Sequence, residues 1–318
     1  MVFPIPVPPM NEHITITTAP CCWGVDDVRN PHLPAWDRVL AEAARAGFGG
    51  LELGPYGYLP LDTGRVRAAL AACNLTIVAG TIFDDLVDPA QRPNLLRQTA
   101  EICALITALP KPTRHRGQRF PAPYLTVMDW GHEARDYAAG HSDRAPRLDP
   151  AAWAGMLANI RAIAQLARDG YGVRAVIHPH CGGHIEFADE IERIAADVPA
   201  GEAGLCLDTG HLAYAGMDPV QAIAAWWERT DYLHFKDIDP AKFAETMGRR
   251  IRFFEACGAG VMCPIGRGSI DYPAIRALLA ERGYAGYITV EQERDPRNTA
   301  SILADLATSR AYLQRLGF

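Results

Sequence analysis

The sequence predicts a (β/α)8 barrel running through the whole chain as one domain, and three observations carry that expectation. The 318 residues suit an α/β barrel, which routinely reaches this length undivided. Short apolar runs alternate with helical patterns eight times. Charged and imidazole side chains gather directly after the late apolar runs, where a barrel collects its functional groups.

The elements follow in order. Ile14–Thr18 reads as the first strand, after an N-terminal stretch over 1–12 expected to be extended. Pro34 opens a helix whose apolar positions Trp36, Val39, Leu40 and Ala43 recur at helical spacing, and Gly47 closes it. Gly49–Gly54 is strand two, followed by a helix from about Asp62 to Cys73. Leu75–Phe83 is strand three, and Asp88-Pro89 starts a helix to about Ala108. The Pro/Arg-rich stretch Pro110–Pro123 reads as a loop before strand four, Tyr124–Trp130. Residues 131–147 are polar and irregular, long enough for a lid or wall at the barrel mouth. Asp149-Pro150 caps a helix to about Asp169. Arg174–His180, Gly204–His211 and Asp231–Asp239 are strands five to seven, with helices between; Asp218-Pro219 starts the one before strand seven. A further helix, a Gly-rich loop and helix Tyr272–Arg282 lead to strand eight, Tyr287–Glu293, and a C-terminal helix. Such alternation implies parallel strands. A doubly wound sheet is the alternative, but no GxGxxG follows the first strand.

Composition excludes several classes. The chain is 49% hydrophobic and 21% charged, as expected of a folded protein with a large core. A net charge of −6 gives no electrostatic reason to expect nucleic acid or an anionic membrane as partner. No apolar stretch approaches the roughly 20 residues of a membrane span. Eight cysteines without a CxxC pair suggest buried small hydrophobes in a reducing compartment rather than a disulfide framework. The first residues lack the basic and apolar regions of a signal peptide, so the expected location is the cytoplasm. Homo-oligomerisation through exposed helices is compatible with the pattern.

Four late strands end in His178-Pro-His180, Asp208-Thr-Gly-His211, His234-Phe-Lys236-Asp237 and Glu291-Gln-Glu293. A lone Asp in such a place is usually a helix cap, and a lone His a satisfied hydrogen-bonder. Recurrence on four consecutive strands argues instead for one site. Carboxylate and imidazole ligands without a thiolate suit one divalent ion with open positions: Mn²⁺ or Co²⁺ first, with Mg²⁺, Fe²⁺ or Zn²⁺ admissible. Cys206, between Leu205 and Leu207, reads as core.

The runs HPHCGGHIE (178–186), GLCLDTGHLAYAGMDP (204–219), LHFKDIDP (233–240), GAGVMCPIGRGSIDYPAI (258–275) and YITVEQERDP (287–296) resemble the xylose-isomerase-like superfamily of barrels. That group includes sugar-phosphate isomerases/epimerases, ketose 3-epimerases, inosose dehydratases and endonuclease IV, and these runs look most like the inosose dehydratases. The likeness extends weakly through CCWGVDD (21–27) and LELG (51–54). It implies metal ligands at Asp208, His234 and Glu291. The fourth ligand of epimerase-like members is a Glu ending strand five; here that position is His178, which removes the paired-carboxylate acid/base arrangement of the epimerases and points to the dehydratase branch. His211 falls where relatives place a substrate-contacting His, and His180 and Lys236 point to the same pocket. Endonuclease IV needs further His ligands after strands three, four and seven, absent here, so DNA is not an expected substrate.

The resemblance therefore implies a metal-dependent dehydratase acting on a keto-cyclitol or keto-sugar through an enediolate, 2-keto-myo-inositol first among candidates. His178, His180 or His211 would remove the α-proton, and another His or Lys236 would protonate the departing hydroxyl. Glu52, ending strand two, and Arg267, in the Gly-rich loop, are expected substrate contacts. The rivals are an isomerase or epimerase sharing the enediolate, an eliminase acting on a 3-keto-glycoside, a dehydratase of a shikimate-pathway ketone, and a non-catalytic sugar-binding barrel.

Overall fold

A computed structural model describes residues 13–318; the expected extended segment over 1–12 lies outside the described residues. Eight parallel strands form a closed ring. In chain order they are β1 (Ile14–Thr18), β2 (Gly50–Leu51), β3 (Thr76–Ile77 continuing as Ala79–Asp84), β4 (Tyr124–Asp129), β5 (Arg174–Ile177), β6 (Gly204–Asp208), β7 (Thr230–Phe235) and β8 (Gly286–Val290). Each pairs with its sequence neighbours, and β1 closes on β8 over the register Ile14↔Gly286 to Thr18↔Val290. Strand three changes partner at Val78, whose N–H donates to Leu51 of β2 while its carbonyl accepts from Tyr124 of β4. The break is thus the point where one strand passes from one neighbour to the next, and the ring stays intact.

A helix follows every strand, as the alternation predicts. Their starts are locally encoded. Asp149 accepts from the Ala152 N–H, Asp218 from Val220 and Gln221, and Asp239 from Ala241 and Lys242, each with Pro next in sequence at the first helical position. Proline has no N–H to leave unpaired there, and the aspartate satisfies the free amides of the first turn. Asp88 caps a short 3-10 turn, Pro89–Gln91, that leads into helix Arg92–Ala108. Between β7 and helix Tyr272–Glu281 lie two extra helices, Pro240–Arg249 and Phe253–Gly258. No helix among the described residues is long and apolar enough to cross a membrane.

The main core lies between strands and helices, with Leu40, Leu51, Ile77, Val127, Ile160, Leu205 and Ile288 fully buried. Inside the ring a separate layer is filled by Val78, Tyr124, Val176, Cys206, Tyr232 and Tyr287. Tyr124 and Tyr232 stack at 4.9 Å, and Thr17 Oγ1 meets Thr289 Oγ1 at 2.7 Å across β1 and β8. Side chains alternate across a strand, so Cys206, Tyr232 and Thr289 face inward and the next inward residues toward the C-terminal rim are Asp208, His234 and Glu291. Cys206 therefore belongs to the packed layer beneath the rim, as expected of it.

Segment 131–147 contains a short helix, Glu133–Asp136. Arg135 drives its guanidinium into the protein, donating to Glu190 Oε1 and Oε2 at 2.6 and 2.9 Å, with Glu186 at 3.5 Å. The segment is thus pinned by a buried ion pair to the first turn of helix Ala188–Asp197, which follows β5.

Candidate active site at the C-terminal rim

The LDTGH run shows how the sequence builds the floor of the site. Asp208 ends β6 and caps the short helix Thr209–Tyr214, its Oδ1 accepting from the Gly210 and His211 amides at 2.8 and 2.9 Å. Thr209 Oγ1 and the Tyr272 hydroxyl both donate to the Lys236 carbonyl at 2.8 Å, which fixes the backbone of the neighbouring strand end. Gly210 lets that backbone approach: a Cβ there would sit 2.4 Å from Lys236 Cβ. The motif is therefore a clamp between β6 and β7 that also sets the Asp208 carboxylate at the rim.

His178, Asp208, His234 and Glu291 converge above this floor, one ligand atom of each lying within 4.8 Å of the others. His178 Nε2 and His234 Nδ1 are 3.1 Å apart, and Glu291 Oε2 is 3.1 Å from His234 Nδ1. Asp208 Oδ2 lies 3.9 Å from His178 Nε2 and 3.8 Å from His234 Nδ1, and has no aligned hydrogen-bond donor although buried.

The outer partners define which nitrogens are available. His178 Nδ1 stands 2.8 Å from the Pro179 carbonyl, which only accepts, so Nδ1 carries a proton and Nε2 offers a lone pair. His234 Nε2 donates to Glu52 Oε1 at 2.7 Å, so Nδ1 is the inward nitrogen. Two imidazole nitrogens thus aim lone pairs at one another with two carboxylates beside them, an arrangement that repels itself unless a cation intervenes. Burial, helped by His234, pushes His178 down to about 3, so it is neutral at pH 7. Burial opposes protonation of His234, but Cys206, Glu291 and Glu52 favour it and the balance lies well above the ordinary imidazole value. Burial pushes the Cys206 thiol itself up to about 12, so at neutral pH it is uncharged and Glu291 and Glu52 are the groups that favour a protonated His234. Positive charge is thus favoured between these four side chains, and the donor set fits a divalent ion there.

Lys236 lies beside the cluster, buried, with Nζ at 2.7 Å from Glu291 Oε2, 2.7 Å from Glu293 Oε1 and 3.0 Å from Asp208 Oδ2. Burial disfavours its charge, but the three carboxylates outweigh it and hold the ammonium well above its usual value. His211 accepts from the Cys181 amide at Nδ1, which places its proton on Nε2, 3.0 Å from Lys236 Nζ. That contact closes as a hydrogen bond only when Lys236 has given up a proton and its lone pair can accept. His180 donates from Nδ1 to the Cys181 carbonyl at 2.9 Å, leaving the lone pair on Nε2. Burial holds His180 and His211 well below the ordinary imidazole value.

A cavity of about 340 Å³ opens above, lined among others by His178, His180, Lys236, Glu291, Glu293 and Phe254. The structure brings His178, His180, Asp208, His211, His234, Lys236 and Glu291 together, with His211 one layer behind, against Lys236. Glu52 lines the same cavity, but its Oε1 is committed to His234 Nε2 and, at 2.8 Å, to the Tyr232 hydroxyl. Arg267 is not brought there: it is exposed and borders a separate depression with Asp239 and Lys242. Its Gly-rich loop is held by Asp237, whose carboxylate accepts from the Gly266, Gly268 and Ile270 amides, so the CPIGRGS run reads as scaffold. Sequence reasoning placed Glu293 at the rim beside Glu291 without giving it a role, and passed over Tyr232, which stands two residues before His234 on the same face of its strand. Cys21 and Asp26 also line the cavity, from the loop after β1, where no periodicity announces them.

The model of the xylose isomerase-like TIM barrel family matches residues 40–315. An inosose dehydratase of Clostridium botulinum (strain Eklund 17B / Type B) is 26% identical over 308 residues, covering 96% of this chain and 97% of the relative. Among solved structures, the probable 3-DHS dehydratase AsbF of Bacillus anthracis superimposes with a TM-score of 0.67 at 14% identity, covering 94% of this chain and 98% of its own. A D-allulose 3-epimerase of Methylomonas sp. gives 0.67 at 16%, over 98% and 99%. With the family model spanning most of the sequence and the ring of eight strands in place, the chain belongs to the xylose isomerase-like TIM barrel family.

Proposed function

We propose that the chain is a metal-dependent dehydratase acting on a keto-cyclitol or keto-sugar, with 2-keto-myo-inositol as the first substrate to try. The observation that carries this reading is the convergence of His178 Nε2, His234 Nδ1 and the Asp208 and Glu291 carboxylates on the floor of a cavity that also presents an ammonium and a neutral imidazole. The similarity to an inosose dehydratase over nearly the full length supports the substrate class. His178, Asp208, His234 and Glu291 would hold the ion, which supplies Lewis acidity toward a ketone oxygen and so eases loss of the neighbouring C–H proton.

The remaining chemistry belongs to the protein. His180 is the general base: its Nδ1–H is tied to the Cys181 carbonyl, it is uncharged, and it lines the cavity. Lys236 is the general acid, because three carboxylates keep it charged and it borders the same space. Once it has protonated a departing hydroxyl, its lone pair can accept from His211 Nε2–H, which stabilises the neutral amine. Glu52 positions His234 through Nε2, and no carboxylate ending β5 is present to pair with Glu291 as in an epimerase.

The test is chelated protein reloaded with Mn²⁺ or Co²⁺ and given 2-keto-myo-inositol, with the ultraviolet absorbance of a conjugated product followed in time. Metal-dependent absorbance growth that disappears in Asp208→Ala and Glu291→Ala supports dehydration. Solvent deuterium entering recovered ketone without absorbance growth reassigns the chain to isomerisation or epimerisation. Absence of metal binding refutes the mechanism.

A further inference from the structure

A second group of ligating side chains stands on the outer side of the rim, apart from the barrel centre. Asp129 ends β4 directly after Met128, which lines the cavity, so strand alternation turns Asp129 away from the interior. Its Oδ1 accepts from the Leu86 amide at 3.0 Å and lies 3.0 Å from His132 Nε2. Its Oδ2 accepts from the His184 amide at 2.7 Å and lies 3.1 Å from His184 Nδ1. The two imidazoles meet edge to face at 4.2 Å, and Asp85 Oδ1 stands 3.5 Å from His132 Nε2. One ligand atom each from Asp129, His132 and His184 lies within 4.8 Å of the others. Asp129 and His184 are nearly buried, whereas the side chains of His132 and Asp85 are 18% and 31% exposed, so the cluster opens to solvent on one side.

We propose that Asp129, His132 and His184 form a second, independent site for a divalent transition ion of the zinc type, with Asp85 as a fourth ligand. Two imidazoles with carboxylate oxygens make a borderline donor set that takes Zn²⁺ or Co²⁺ in preference to Mg²⁺ or Ca²⁺, which call for all-oxygen shells. The Leu86 and His184 amides hold the Asp129 carboxylate in place, and each of its oxygens keeps a further lone pair for an ion. Binding would displace the protons that the imidazoles now direct at Asp129, and Asp129 with Asp85 would balance the ion's charge. The ligands come from separate segments: Asp85 from the loop after β3, Asp129 and His132 from the end of β4 and its loop, His184 from the loop after β5 that also carries His178 and His180. The ion would staple three rim loops together and steady the β5 loop from outside, without entering the cavity.

The experiment titrates the demetallated full-length protein with Co²⁺ alone, following the visible d–d absorption, in wild type, His132→Ala, His132→Cys and Glu291→Gln. His132 is partly exposed, so its replacement leaves the buried carboxylate and its amide donors in place. The expected result is one Co²⁺ equivalent that His132→Ala abolishes, His132→Cys restores with a thiolate-to-cobalt charge-transfer band, and Glu291→Gln leaves untouched. The proposal is overturned if His132→Ala binds as many equivalents as wild type, or if the only equivalent seen is the one that Glu291→Gln removes.

Discussion

Glu52 offers the sharpest test of how the rim is organised, because its expected effect passes through another residue. Its Oε1 accepts from His234 Nε2 at 2.7 Å and from Tyr232 at 2.8 Å, while His234 turns Nδ1 toward His178 and Glu291. Glu52→Ala removes the acceptor that selects this tautomer and the charge that makes Nδ1 more basic. Loss of such an outer carboxylate typically costs about 10–100-fold in metal affinity, or roughly 1.4–2.8 kcal/mol. Glu52→Gln keeps an acceptor for Nε2–H and loses only the charge, so it should sit near the lower figure, about tenfold. In Glu52→Ala, Tyr232 keeps Thr289 as a partner, so the barrel interior is not left with an orphaned hydroxyl. Competition with a chelator of known affinity, monitored by Co²⁺ absorption, measures both constants. Wild-type affinity in Glu52→Ala would refute the positioning role, and a Gln variant weaker than the Ala variant would refute the tautomer argument.

Three further outcomes follow from the same geometry. His234 is held protonated above its ordinary range before metal arrives, so binding must expel that proton; affinity should rise with pH across neutrality by up to about tenfold per unit. Calorimetry in buffers of different ionisation heat reads the proton count, and a pH-independent affinity would count against the account. Lys236→Met leaves Asp208, Glu291 and Glu293 facing one another without their ammonium, which should destabilise metal-free protein by about 3–5 kcal/mol. Added divalent ion should restore part of that stability in urea unfolding, and an unchanged midpoint without metal would rule the argument out. Arg135→Ala strands Glu190 and Glu186 without their buried guanidinium and should cost a similar ~3–5 kcal/mol, whereas Arg135→Met with Glu190→Leu should cost less than the single change; equal losses in the two variants would contradict it.

Much of the fold was legible because its signals are local. An Asp-Pro pair caps a helix wherever it occurs, since the carboxylate and the missing N–H act within one turn, and Asp149, Asp218 and Asp239 do so here. The eight apolar runs became strands because nothing but a sheet buries such short segments on both faces. The cluster of His178, Asp208, His234 and Glu291 was legible for a related reason: a polar side chain directly after a buried strand has little room except at the rim.

What the sequence could not determine is which rim groups touch. Glu52 and His234 are 182 positions apart, and only the ring closure and register of the barrel bring them within a hydrogen bond. The same holds for Arg267, whose Gly-rich setting suggested a substrate loop but whose position follows from Asp237 gathering that loop's amides away from the cavity. The boundary is physical. Caps, periodicity and strand ends depend on neighbours within a few residues, whereas tautomers, displaced protons and shared carboxylates depend on side chains that meet only once eight strands have closed.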